Sequence, residues 1–192
     1  MMMSVGTARL ARGFSVGRAA AAKGGTVYKW IDNLFNGIDR SRVKQLGADR
    51  VAAEFVLRMD GKLRIGGKEE WIRLESELPE KGKVKVEEID LSSTALSDAG
   101  MQHFNELEHL KSVSVADCGD VDDEAINFFL PLPLEKINVS GCNFTSHKLK
   151  ELGTIGTLQH VTMKRMPLLE GRDIADIEKA LKDRLGNVTV DA

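Results

Sequence analysis

The chain has 192 residues, with 27 Lys and Arg against 29 Asp and Glu, so its formal net charge of −2 offers no general attraction to nucleic acid. A composition 42% hydrophobic and 29% charged belongs to a globular protein and excludes disorder of the whole chain. The two cysteines, Cys118 and Cys142, are too few for a disulfide scaffold, and the longest nearly apolar run, Phe128 to Leu134, is far short of the ~20 residues that cross a bilayer.

Residues 1 to 31 carry Arg9, Arg12, Arg18, Lys23 and Lys29 and no acid, whereas the remainder holds 22 basic groups against 29 acidic ones. Spaced arginines separated by Ala, Ser and Gly, without an apolar core of about 7 to 15 residues, fit a mitochondrial transit peptide better than a secretory signal. The expected leader is 1–27, with cleavage after Phe14 or nearer Gly24 both open.

From Tyr28 to Arg58 the spacing predicts two helices. Trp30, Leu34, Phe35 and Ile38 form one apolar face, and Val51, Phe55 and Leu57 lie on a second segment that starts after Gly47. Lys62 to Ile65, the pair Gly66-Gly67, and Trp71 to Leu74 then predict a hairpin, because paired glycines accept the positive φ of a tight turn. Residues 28–85 read as a helical and hairpin module, either the cap of a repeat array or an added docking module.

The body repeats itself. Ile89-Asp90-Leu91, Val113-Ser114-Val115, Ile137-Asn138-Val139 and Val161-Thr162-Met163 recur every 24 residues, preceded by Val86, Leu110, Leu134 and Leu158 and followed by Thr94, Cys118, Cys142 and Met166. This is the pattern of a leucine-rich repeat, in which each period-2 triplet makes a short parallel strand. The fold class predicted for residues 86–192 is therefore α/β, a short solenoid of about four repeats. Helical returns are expected at 98–104, 122–129, 146–152 and 173–185, the last with apolar residues at 174, 177, 181 and 185, and Val188 to Val190 reads as a closing strand.

Little in this body carries catalytic chemistry. Cys118 and Cys142 fall at equivalent positions of neighbouring repeats, where stacked strands about 4.8 Å apart would permit a disulfide, but that position points inward and favours buried, reduced thiols. His103 and His109 lack a nearby ligand at zinc spacing. The acids Asp117, Asp120, Asp122, Asp123 and Glu124 lack an EF-hand pattern and are expected to cap the following helix. No phosphate-binding glycine motif or nucleophile elbow occurs, so the chain is not expected to be an enzyme. The outward positions Glu88, Asp90, Ser114, Lys136, Asn138, His160 and Thr162 make a mixed polar surface of the kind that binds protein.

Trp30, Phe35-Asn36, Asp39-Arg40-Ser41-Arg42, Gly47-Ala48-Asp49-Arg50, Ala52-Ala53-Glu54-Phe55, Leu57-Arg58 and Trp71, together with four short repeats, resemble the mitochondrial ATP synthase subunit s family, also called coupling factor B or distal membrane-arm assembly component 2-like. The resemblance spans about residue 28 to the C-terminus. It implies a peripheral protein on the matrix side of the mitochondrial inner membrane, partnered with the membrane sector of ATP synthase and supporting the coupling of proton transport to ATP synthesis. A related branch assists assembly of the distal membrane arm of respiratory complex I. The resemblance also implies a Mg²⁺ site built from backbone carbonyls, at positions corresponding to Asp60 and Ser92; Asp60 replaces the family's glycine. Where the family carries paired thiols, this chain has Ala116 and Cys118, and Met59 stands at another family cysteine. Two further classes remain open, a leucine-rich-repeat adaptor of a ubiquitin ligase and a small mitochondrial enzyme. Trp30 and Phe35 are the expected docking anchors, with Arg40, Arg42 and Arg50 as rim charges.

Overall fold

Residues 37–80 and 84–192 are described by a computed structural model. The basic leader and the expected anchors Trp30 and Phe35 lie outside the described residues. Helix α1 (Arg40–Leu46) starts at Asp39, whose carboxylate accepts the N–H groups of Ser41 and Arg42, and stops at Gly47, where φ is 86°. It buries no residue. Helix α2 (Ala48–Arg58) is the opposite case. It buries Val51, Ala52, Ala53, Phe55 and Val56, and its paired alanines allow a close approach to the sheet.

Strand β1 (Lys62–Ile65) runs antiparallel to β2 (Val86–Asp90), with Lys62 opposite Asp90 and Arg64 opposite Glu88. The hairpin predicted between 62–65 and 71–74 survives as one bridge, in which Leu63 and Ile72 exchange backbone hydrogen bonds of 3.1 and 2.8 Å. Further pairing is lost because the Glu77 carboxylate takes the N–H groups of Arg73 and Leu74, at 2.9 and 3.2 Å. The turn itself forms as expected, with Gly67 at a φ of 81°.

With β1 at its edge the sheet has six strands in sequential order, and β3 (Ser112–Ser114), β4 (Lys136–Asn138), β5 (His160–Thr162) and β6 (Thr189–Asp191) are all parallel to their predecessors. The register follows the 24-residue period, so Ile89, Val113, Ile137 and Val161 stand side by side and are buried. The three middle strands begin two residues after Leu110, Leu134 and Leu158. Those leucines are buried, but their N–H groups bond back into the preceding loop, to Leu107, Leu132 and Ile155, and cannot join the ladder.

The returns fall where the spacing put them. Helix α3 (Asp98–Met101) continues as a 3-10 turn to Phe104, and a 3-10 turn at Asp123–Ala125 leads into α4 (Ile126–Phe129). Helix α5 (Ser146–Glu151) is extended by a 3-10 turn to Thr154, and α6 (Gly171–Leu185) buries Ile177 and Leu181, with Ile174 and Leu185 packed at the edge of the core. One continuous core fills the space between the sheet and these returns. It includes Phe55 of α2 together with Phe104, Phe129 and Phe144.

A second periodicity lies in the backbone and has no counterpart in the side-chain pattern. Ser93, Asp117, Gly141 and Arg165 all adopt left-handed backbone, with φ of 61°, 58°, 70° and 53°, at the same 24-residue spacing. In the first three the N–H reaches the next rung, at Ala116, Ser140 and Lys164, with lengths of 2.7, 2.7 and 2.9 Å. The ladder thus continues past the strands. Only Gly141 adopts this conformation without strain.

Candidate functional site

Alternation along each strand sends Ile89, Val113, Ile137 and Val161 inward and leaves their neighbours on the outer face. The register then sorts that face into two rows. Arg64, Glu88, Ser112, Lys136, His160 and Thr189 form one, and Lys62, Asp90, Ser114, Asn138, Thr162 and Asp191 the other. Every outward residue named from the sequence lies on this one surface.

Its charges are mostly matched between neighbouring elements. Lys62 pairs with Asp90 at 3.0 Å, Arg64 with Glu88 at 3.1 Å, and Lys164 with Asp191 at 2.8 Å. Burial raises the Asp90 pKa, but the Ser92 hydroxyl, the Ser92 N–H and the Lys62 ammonium outweigh it and hold the carboxyl below its ordinary range. Hydroxyls fill the gaps: Ser92 and Ser114 share a hydrogen bond of 2.8 Å, and Ser140 donates to Asn138 at 2.7 Å. Such paired charges and small hydroxyls provide donors and acceptors for another protein.

The β1 end holds a cluster that sequence reasoning did not assemble. Lys62 Nζ lies 4.9 Å and the Arg64 guanidinium carbon 4.5 Å from the ring centre of Trp71, while the same cations pair with Asp90 and Glu88. The alternation Lys62-Leu63-Arg64-Ile65 was the available signal, since it puts both cations on one face.

The expected rim charges divide. Arg40 is exposed, and Arg42 is half exposed and bonded to Glu54 at 2.5 Å. Arg50 is not a rim charge: its side chain is only 14% exposed, pairs with Glu54 at 2.8 Å and donates to the Pro79 carbonyl at 2.7 Å. It fastens α2 to the following loop. Asp49 has a similar role, accepting the Val86 N–H at 2.6 Å at the start of β2.

Both thiols are buried and free. Cys118 Sγ donates to the Leu91 carbonyl at 3.1 Å and Cys142 Sγ to the Val115 carbonyl at 3.0 Å, each reaching back to the preceding rung. Burial pushes the Cys118 thiol up, and pushes Cys142 up to about 12, so neither has the character of a reactive thiolate. The Thr94 hydroxyl occupies the equivalent place one rung earlier and donates to Leu91 at 2.7 Å.

His103 is a core residue, stacked on Phe55 with ring centres 4.0 Å apart and planes within 6°. The acidic stretch only partly behaves as helix caps. Asp122 accepts the Glu124 N–H at 3.1 Å, as expected. Asp123 instead takes the N–H and hydroxyl of Thr145, both at 2.8 Å, and Asp117 pairs with Arg165 at 2.9 Å. These two acids connect rungs: Asp123 reaches the next loop, 22 residues on, and Asp117 reaches the loop two repeats on, 48 residues away.

Asp60, in left-handed backbone at a φ of 59°, and Ser92 lie at the β1–β2 end of the sheet. The ladder between the two strands ends at Lys62 opposite Asp90, so neither residue is paired within it. Gly61, next to Asp60, is forced by packing: a Cβ there would lie 2.9 Å from the carbonyl oxygens of both Asp90 and Val56. Among the described residues no group of three or more His, Cys, Asp or Glu side chains is arranged to hold a metal.

No protein-family model matches the chain. It is similar to curated proteins named "ATP synthase subunit s, mitochondrial". The relative from Rattus norvegicus is 25% identical over 154 residues, 76% of this chain and 77% of the relative. The one from Homo sapiens is 26% identical over 146 residues, 72% of this chain and 73% of the relative. A third, from Pongo abelii, is 29% identical over 99 residues, half of each chain. Among the described residues no helix is long and apolar enough to cross a membrane.

Proposed function

We propose that this chain, a distant relative of the mitochondrial ATP synthase subunit s proteins, is an accessory factor of the mitochondrial ATP synthase that acts through protein contacts and not through catalysis. The kinship supports the association and the mitochondrial location. The outer sheet face carries the mode of action. Most of its charges are engaged with one another, Lys136 and His160 excepted, and its remaining groups are hydroxyls and amides, an arrangement suited to docking.

In this reading residues 86–192 are a leucine-rich-repeat solenoid of four 24-residue repeats, residues 28–85 its N-terminal module, and residues 1–27 a transit peptide. The unbroken register and the side chains of Thr94, Cys118 and Cys142 that hook to backbone carbonyls support the solenoid. The protein would sit peripherally on the matrix side of the inner membrane, against the membrane sector of ATP synthase, and support the coupling of proton transport to ATP synthesis. A Mg²⁺ ion held by the Asp60 and Ser92 carbonyls would brace the junction of module and repeats. A Mg²⁺ titration followed through the amide resonances of Gly61 and Ser93 tests that site, and unmoved resonances remove it.

The functional test is affinity purification of the tagged full chain from gently solubilised mitochondria. ATP synthase subunits should co-purify. Recovery of complex I assembly intermediates in their place would move the protein to the other branch, and recovery of neither would remove the assignment.

A further inference from the structure

Across the outer sheet face, cations and carboxylates are matched on adjacent strands almost everywhere. Lys62 has Asp90, Arg64 has Glu88 and Lys164 has Asp191. The pairing rule fails at one place. Lys136 stands in register between Ser112 and His160, so its cross-strand neighbours are a hydroxyl and an imidazole, and neither it nor His160 has an acidic partner among the described residues. Both side chains are exposed.

Opposite charges directly across strands stabilise a sheet, and a cation beside another nitrogen donor forgoes that gain. The fold therefore obtains nothing from this arrangement that a carboxylate at residue 160 would not supply better. Residues chosen against local stability are expected where a surface serves another purpose. Here a lysine and a histidine stand opposite each other on neighbouring strands, whose backbones lie about 4.8 Å apart, with Asn138 and Thr162 opposite each other in the second row. The group of four offers several donors and no carboxylate. Toward β1 the surface is electrically balanced, and the Arg165–Asp117 and Lys164–Asp191 pairs neutralise the loop side.

We propose that the β4–β5 part of the outer face, centred on Lys136 and His160, is where the partner docks, and that the partner presents an acidic protein segment there. The idea rests on the ATP synthase reading and specifies which surface and which chemistry serve it. Two carboxylates on alternate residues of an extended chain share one face and can reach the two nitrogen donors, with Asn138 and Thr162 placed to bind the intervening backbone. Charge matching of this kind controls orientation and association rate, so binding should weaken as salt is raised.

The test uses the full chain and purified, detergent-solubilised mitochondrial ATP synthase, with binding measured over a range of salt. Lys136→Glu, which reverses a charge at the interface, and His160→Glu, which adds a negative one, should each weaken binding about tenfold or more. Lys136→Glu should also flatten the salt dependence. Lys179→Glu, on the exposed side of α6, should bind like the parent and excludes a general charge effect. Equal melting temperatures establish that the variants are folded. If the parent binds and both sheet-face variants bind equally well, the acidic-segment proposal is wrong and the ATP synthase reading stands. If the parent does not bind, the ATP synthase reading fails and this proposal falls with it.

Discussion

Gly141→Ala tests the stacking of the rungs at a single atom. Gly141 sits in left-handed backbone at a φ of 70°, and an added Cβ would overlap the Asp117 carboxylate, whose other oxygen pairs with Arg165 at 2.9 Å. Two costs add. Holding alanine in that conformation costs about 1–2 kcal/mol. Displacing Asp117 costs the ion pair, which lies at an exposed site and is worth about 0–1 kcal/mol. The sum, about 1–3 kcal/mol, corresponds to a melting point lower by about 2–12 °C for a domain of this size. A double-mutant cycle separates the terms. Replacing Asp117 by glycine removes the obstructing carboxylate, so in that background Gly141→Ala should cost the backbone term alone. Urea unfolding followed by circular dichroism measures all four proteins. If Gly141→Ala is neutral, or its cost is the same in both backgrounds, the loops do not stack as described.

Other expectations come from the core and from the charges. Val115 is fully buried under β3, so Val115→Asp places an unpaired carboxylate in the core at a cost of several kcal/mol, against a total stability of about 5–15 kcal/mol. The variant should be unfolded, and one that melts like the parent would mean the register is wrong. Alkylation of the native protein at pH 8 should leave Cys118 and Cys142 unmodified until denaturant is added, since burial disfavours both thiolates; rapid native labelling would contradict the buried hooks. The Asp90 carboxyl has a lowered pKa in the folded state, so its stabilising effect is present above the unfolded carboxylate range and is lost as pH falls through the folded value. Asp90→Asn should therefore reduce the fall in stability on acidification, and an unchanged acid limb would show that the Lys62 and Ser92 contacts do not form in solution.

What could be read from the sequence depended on whether the determining contacts were local or periodic. The 24-residue repeat specified the inward triplets and returns, because each repeat adopts the same local solution and its strand pairs with those of its neighbours. The paired thiols were legible for the same reason, since a small hydrogen-bonding residue recurs at 94, 118 and 142, before Met166 takes the position. Competition for backbone groups was not legible. The strand-like pattern of 71–74 did not announce that Glu77, three and four residues on, would cap Leu74 and Arg73 and cut the hairpin to one bridge. Arg50 reads as an exposed charge in the sequence, yet the loop carbonyl of Pro79, 29 residues away, holds it. The left-handed row was hidden by its composition, because Ser93, Asp117 and Arg165 share neither size nor charge with Gly141 and have only backbone geometry in common.

If the outer sheet face is the surface that docks on the mitochondrial ATP synthase, as proposed, it must lie within cross-linking distance of that complex. A photoreactive amino acid placed at Ser112, in the middle of that face and between Glu88 and Lys136, reports the contact directly when the protein is illuminated in intact mitochondria. Cross-links to subunits of ATP synthase are expected from Ser112, with none from a probe at Lys179 on α6. Cross-links from Ser112 to complex I subunits, or ATP synthase cross-links from Lys179 alone, would contradict the proposed docking.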